Sequence, residues 1–128
     1  MDARYPKEAK LKSHDAIGRL FTEGKSVAKY PLRLVYVPLN GADGHQVGVS
    51  VSKKYFRKAV DRNYYKRILR ETYRTRKGLL APLHTSYAVM LFYQTADRLP
   101  FAQVEVLMEA LLHKFVAAAS RENPDSTH

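Results

Sequence analysis

The stretch Ser52–Lys77, SKKYFRKAVDRNYYKRILRETYRTRK, decides how the rest of the chain is read. It carries eleven Lys and Arg residues against two acids, Asp61 and Glu71. No Pro or Gly interrupts Lys53–Lys77, so its middle reads as a helix. Gly78 stands where a left-handed residue would close that helix. At about 100° per residue, Arg62, Asn63, Lys66, Arg67, Arg70 and Arg74 fall within an arc of roughly 140°. Tyr65, Ile68, Leu69, Thr72 and Tyr73 take the adjoining arc at i, i+3, i+4, i+7, i+8 spacing, the pattern of a face buried on a core. Like charges at i,i+4 destabilise a helix by about 0.2–0.5 kcal/mol per pair. A polyanion relieves that repulsion, and a nucleic-acid backbone is the obvious one. The plainer reading is a solvated face, but such faces usually mix signs. Arg dominates here, and its planar fork suits bidentate phosphate contacts. Asn63 adds an amide able to read a base edge or a ribose hydroxyl.

The whole chain points the same way. Its 128 residues suit one domain (1–128), with a core over about 7–118 and a frayed tail over 121–128. A net charge of +10 favours an acidic partner and salt-sensitive binding. With no Cys there is neither a disulfide framework nor thiolate chemistry, which fits a cytoplasmic location. The first residues contain no apolar run, so no signal peptide is expected, and no segment is apolar enough to span a bilayer.

Outward from the basic stretch, Ser13 caps a short helix ending at Gly24, with Asp15 in its first turn. Ala16, Ile17, Leu20 and Phe21 are its apolar stripe, in which Phe21 reads first as core. Ser26–Val37 reads as extended chain, so that two or three strands precede the basic helix, and Asn40-Gly41 with Asp43-Gly44 reads as a hairpin loop. In the strand that follows, Val47, Val49 and Val51 face the core. Gln46, Gly48, Ser50 and Ser52 form a small, hydroxylated second face, open to solvent or to a ligand. Tyr87–Tyr93 is continuously apolar and reads as a strand covered on both faces. Pro100 opens a last helix, whose Phe101, Val104, Leu107, Met108, Leu111, Phe115 and Val116 keep helical spacing to about Ala119.

Ser52-Lys53-Lys54, Ala59-Val60, Arg62-Asn63, Lys66-Arg67 and Arg70-Glu71 together resemble the signature of the bacterial ribonuclease P protein subunit, and Ala59 to Glu71 fits it without a gap. Leu11-Lys12-Ser13, Ile17, Leu20-Phe21 and Gly24-Lys25-Ser26 are similar to that family's first helix. Tyr64 stands where many members carry a second Arg, and Ile17 where many carry a second Phe. The resemblance covers roughly residues 7–118. It implies an α+β domain of order αβββαβα, with a four-stranded sheet and a left-handed βαβ crossover through the basic helix, a fold class also found in the second domain of a ribosomal protein. Local reading alone would assign the usual right-handed crossover.

The resemblance also implies a role: docking the catalytic RNA of ribonuclease P and helping that RNA remove the 5′ leader of precursor tRNA. Arg62, Asn63, Lys66, Arg67, Arg70 and Arg74 are then the RNA-binding residues. Phe21, Ser50, Ser52, Lys53 and Lys54 are candidates for a cleft that takes the single-stranded leader. Small hydroxyls beside a cation and an aromatic suit an extended strand. Mg²⁺ is expected as the ion of the RNA–protein holoenzyme, with no ligand set on the protein, and no obligate protein partner is evident.

No constellation in the sequence could cut a phosphodiester unaided. His14, His45, His84, His113 and His128 are scattered, without ligand-like spacing. Asp43 and Asp61 lack a carboxylate neighbour that would suggest a two-metal site. Gly41, Gly44 and Gly48 make no phosphate loop, and Ser50 and Ser52 have no evident His/Asp partner. No catalytic residue is therefore expected on the protein. The rival reading is a structural, ribosomal-type RNA-binding protein without a processing role. A membrane-surface helix fits worse, because Tyr65, Thr72 and Tyr73 make a poor inserting face.

Overall fold

Alternation along Gln46–Val51 and the apolar run that follows residue 86 produce two strands lying side by side. The computed structural model describes residues 14–39 and 44–122, in which seven main elements follow in order. These are helix α1 (His14–Thr22), strands β1 (Lys25–Lys29), β2 (Leu32–Leu39) and β3 (Gln46–Val51), helix α2 (Ala59–Arg76), strand β4 (Ser86–Tyr93) and helix α3 (Phe101–Glu122). They form one α+β domain with the expected αβββαβα order. The sheet runs β1-β2-β4-β3, antiparallel across its first two pairings and parallel between β3 and β4. Helix α2 is thus the crossover between parallel neighbours.

Strand parity decides what each sheet face meets. On one face, Leu32, Leu34 and Tyr36 of β2, Val47 and Val51 of β3, and Tyr87, Val89, Leu91 and Tyr93 of β4 are buried. They pack against Tyr65, Ile68, Leu69 and Tyr73 of α2 and Val104, Met108, Leu111, Leu112 and Phe115 of α3. The apolar arc read in the basic stretch is therefore buried, and Thr72 joins it by donating its hydroxyl to the Ile68 carbonyl at 2.8 Å. The other face is covered only in part. Leu20 of α1 sits with Val37 and Ala88, and Val35, Leu39 and Met90 are half-buried around them.

Ser26–Val37 folds back through a turn at Tyr30-Pro31, a cis peptide bond, into the β1–β2 pair, which makes three strands ahead of α2. Three local expectations are corrected. Strands β2 and β3 do not form a hairpin, because β4 inserts between them. Gly78 is not left-handed. Helix α2 instead tightens into a 3₁₀ turn over Lys77–Leu80, and the only positive-φ glycine among the described residues is Gly44. Helix α3 runs to Glu122, past the expected limit near Ala119. The Ser13 cap, the turn residues Asn40, Gly41 and Asp43, the extended start over 1–12 and the tail over 123–128 lie outside the described residues, as do the side chains of Asp15 and Ala16. Among the described residues no helix is long and apolar enough to cross a membrane.

Candidate RNA interface

Burying one arc of α2 turns the opposite arc outward. Asn63, Arg67 and Arg70 are exposed there, and Lys66 and Arg74 lie half-buried at its border. Arg74 pairs with Glu71 at 2.8 Å, so part of its charge is answered within the helix. Among the described residues, no acid pairs with Lys66, Arg67 or Arg70. Arg76, farther along, is held on α3 by Glu105 at 3.3 Å and Glu109 at 3.5 Å.

Arg62 has a second task that its place in the arc does not reveal. Its Nη1 donates to the carbonyls of Phe56 at 2.9 Å and Arg57 at 2.7 Å, tying the helix to the turn before it. That turn is built on Ser52. The Ser52 carbonyl accepts the N–H groups of Tyr55 and Phe56, and its hydroxyl accepts the N–H of Lys54 at 3.0 Å. Lys53 and Lys54 are exposed on it. Lys58 precedes the helix in extended conformation without a side-chain cap, so the start of α2 is fixed by other means. Arg98 pairs with Asp61 at 3.2 Å and lies 5.3 Å from the Phe56 ring centroid. Phe56, Tyr65 and Tyr93 stack in a column with centroids 4.8 and 4.6 Å apart. Burial pushes the phenols of Tyr65 and Tyr93 above the usual tyrosine range.

On the face of the sheet away from α2 and α3, α1 leaves a groove of about 340 Å³. Leu20, Phe21 and Gly24 form one wall, Ser26, Arg33 and Val35 the other, and Met90, Phe92 and Gln94 also line it. Phe21 is 73% exposed at this groove, whereas its neighbour Leu20 is buried, so Leu20 supplies the packing first expected of Phe21. Gly24 permits the close approach of α1 to the sheet. A Cβ there would collide with the Leu20 carbonyl oxygen and meet Val35 Cγ1 at 2.6 Å. Arg33 donates to the Ser26 hydroxyl at 3.1 Å.

The structure brings the sequence candidates together unequally. Phe21 lines the groove. Ser50 pairs in register with Phe92, which places it beside the groove residues on the same sheet face. Ser52, Lys53 and Lys54 belong to the turn that leaves that end of β3. Met90, Phe92, Arg33, Ser26 and Gln94 were missed. Their signal was the parity of β2 and β4, usable only once those strands are known to be neighbours. Among the described residues there is no group of three or more His, Asp and Glu that could hold a metal ion.

A family model described as Ribonuclease P matches residues 5–116. The chain belongs to the ribonuclease P protein family. The ribonuclease P protein component of Porphyromonas gingivalis is 41% identical over 115 residues, covering 83% of this chain and 82% of that protein. The ribonuclease P protein of Staphylococcus aureus shares the fold with a TM-score of 0.70 at 24% identity, over 84% of this chain and 94% of that one. That of Thermotoga maritima gives 0.68 at 25% identity, over 82% and 96%. As a ribonuclease P protein component, the chain is an RNA-binding partner of ribonuclease P RNA and acts in tRNA processing.

Proposed function

We propose that this ribonuclease P protein docks the catalytic RNA on the outer face of α2 and holds the 5′ leader of precursor tRNA in the groove beneath α1. Arg67, Arg70 and Lys66 take phosphates on the RNA side, with Arg62 and Arg74 at the border of the face, and Asn63 offers an amide to a base or ribose edge. In the groove Phe21 stacks on a leader base, Arg33 meets the backbone, and Met90 and Phe92 give an apolar floor. Ser50, Ser52, Lys53 and Lys54 continue that track along the end of β3. The chain binds and orients the RNA, which carries the active site for endonucleolytic removal of the leader. Mg²⁺ belongs to the RNA–protein assembly, and no step is routed through an ion on the protein. Cytoplasmic placement is part of the same reading and rests on the tRNA-processing role.

The observation that carries this proposal is an exposed phenylalanine on a groove that the sheet separates from the basic helix. Two RNA segments then bind one small domain without competing. The test uses protein assembled with in vitro transcribed Porphyromonas gingivalis ribonuclease P RNA. Phe21→Ala should weaken binding of precursor tRNA with a leader of several nucleotides by about tenfold to a hundredfold. Binding of mature tRNA and the melting temperature should stay unchanged. Equal losses for both tRNAs would remove the leader groove and leave a structural RNA-binding protein.

A further inference from the structure

The outer face of α2 is not wholly polar. Tyr64 is 51% exposed and Val60 is 69% exposed, and at i,i+4 spacing they are neighbours on the helix surface. Exposed Asn63 and Arg67 flank them. The Tyr64 ring meets Tyr65 edge-on, with centroids 4.9 Å apart and planes at 89°. Tyr65 is itself held in the ring column with Phe56 and Tyr93. A ring braced in this way loses little rotational freedom when a flat ligand settles on it.

We propose that Tyr64, extended by Val60, is a stacking platform for an unpaired nucleobase of the RNA docked on α2. The inference rests on the docking reading above and adds to it a preference for a single-stranded nucleotide at one point. The occupant follows from the surroundings. Cations that no acid answers attract a polyanion, and a polyanion that also offers an apolar face is a nucleic acid with an unstacked base. A duplex would present phosphates alone to this surface and leave the ring unused. An apolar protein partner would have to desolvate Arg67 and Asn63 at the rim of the contact.

The experiment measures affinity of the full chain for in vitro transcribed Porphyromonas gingivalis ribonuclease P RNA over a series of salt concentrations, with a melting curve for each variant. Tyr64→Ala should lower affinity by about tenfold to a hundredfold with no change in the log–log salt slope, because stacking releases no counterions. Tyr64→Leu, which keeps an apolar side chain on the helix, should show the same loss. Tyr64→Phe should bind within twofold of wild type, and Tyr64→Arg should steepen the slope by about 0.7–0.9. Affinity within twofold for both Tyr64→Ala and Tyr64→Leu would overturn the proposal, as would failure of Tyr64→Phe to bind. The Arg67→Ala/Arg70→Ala pair separates the two readings. If that pair weakens and flattens binding while Tyr64→Ala does not, only the stacking inference falls. If neither changes binding, the docking reading falls with it.

Discussion

Arg62 lies at the border of the basic arc, yet its removal should cost the fold as well as the interface. One guanidinium nitrogen carries two hydrogens, and here each meets a main-chain carbonyl, Phe56 at 2.9 Å and Arg57 at 2.7 Å. Hydrogen bonds from a charged donor contribute about 1.5–3 kcal/mol. The side chain is half-buried, so water recovers part of what Arg62→Ala removes, and the pair together should be worth about 1.5–3 kcal/mol. For a chain of this size that is a drop in melting temperature of about 5–15 °C. Arg67→Ala, on the exposed part of the same helix, should change stability by no more than about 0.5 kcal/mol. Urea unfolding followed by far-UV circular dichroism measures both, with the slope of each transition checked for a changed unfolded state. Arg62→Lys should recover part of the loss, since an ammonium can still reach one carbonyl. A midpoint for Arg62→Ala equal to that of Arg67→Ala would show that the brace contributes nothing and that Arg62 serves the interface alone.

Gly24→Ala should destabilise by about 1–3 kcal/mol, because the new methyl meets a backbone oxygen that cannot move without shifting α1; a wild-type melting curve would refute the close approach. Tyr73 gives a pH dependence whose sign is fixed. Burial pushes its phenol from the ordinary 10.0 up to about 12. The native state therefore holds a proton that the unfolded chain releases first, and the contribution is intact below pH 10 and withdrawn between about pH 10 and 12. Stability should fall there by at most about 1.4 kcal/mol per pH unit from this group. Tyr73→Phe should flatten that fall, and an unchanged slope would remove Tyr73 as its source.

Much of α2 was legible because both of its faces are written at helical spacing. Ile68, Leu69 and Tyr73 declare burial, and Arg67 and Arg70 declare exposure. Strand β3 was legible for the same reason at period two. What escaped has physical causes. The turn at Tyr30-Pro31 lacks Gly, Asn or Asp, and its one local signal, Pro31, suits the first residue of a strand as well as a turn, so the division of β1 from β2 is weakly marked. The hairpin expected after Leu39 failed because the best partner for both β2 and β3 lies more than forty residues on, a choice made by packing. Phe92 and Met90 read as core because β4 is apolar throughout. Their half-exposure exists only because α1 covers part of that face. Arg62 was read as a surface cation because its carbonyl partners belong to a turn whose path the sequence does not print.

Strand β4 occupies the middle of the sheet but is the last strand to be synthesised. Until residues 86–93 leave the ribosome, β2 and β3 each present an unpaired edge, separated by the width of one missing strand, about 10 Å. The β1–β2 pair can close early, but the parallel pairing of β3 must wait for a segment more than thirty residues downstream, the kind of distant contact that slows folding. A nascent chain that has passed Arg76 therefore already displays every cation of α2 while lacking β4 and α3, two of the elements on which that helix packs. Charge reaches the RNA-rich surroundings of translation before the domain exists to orient it.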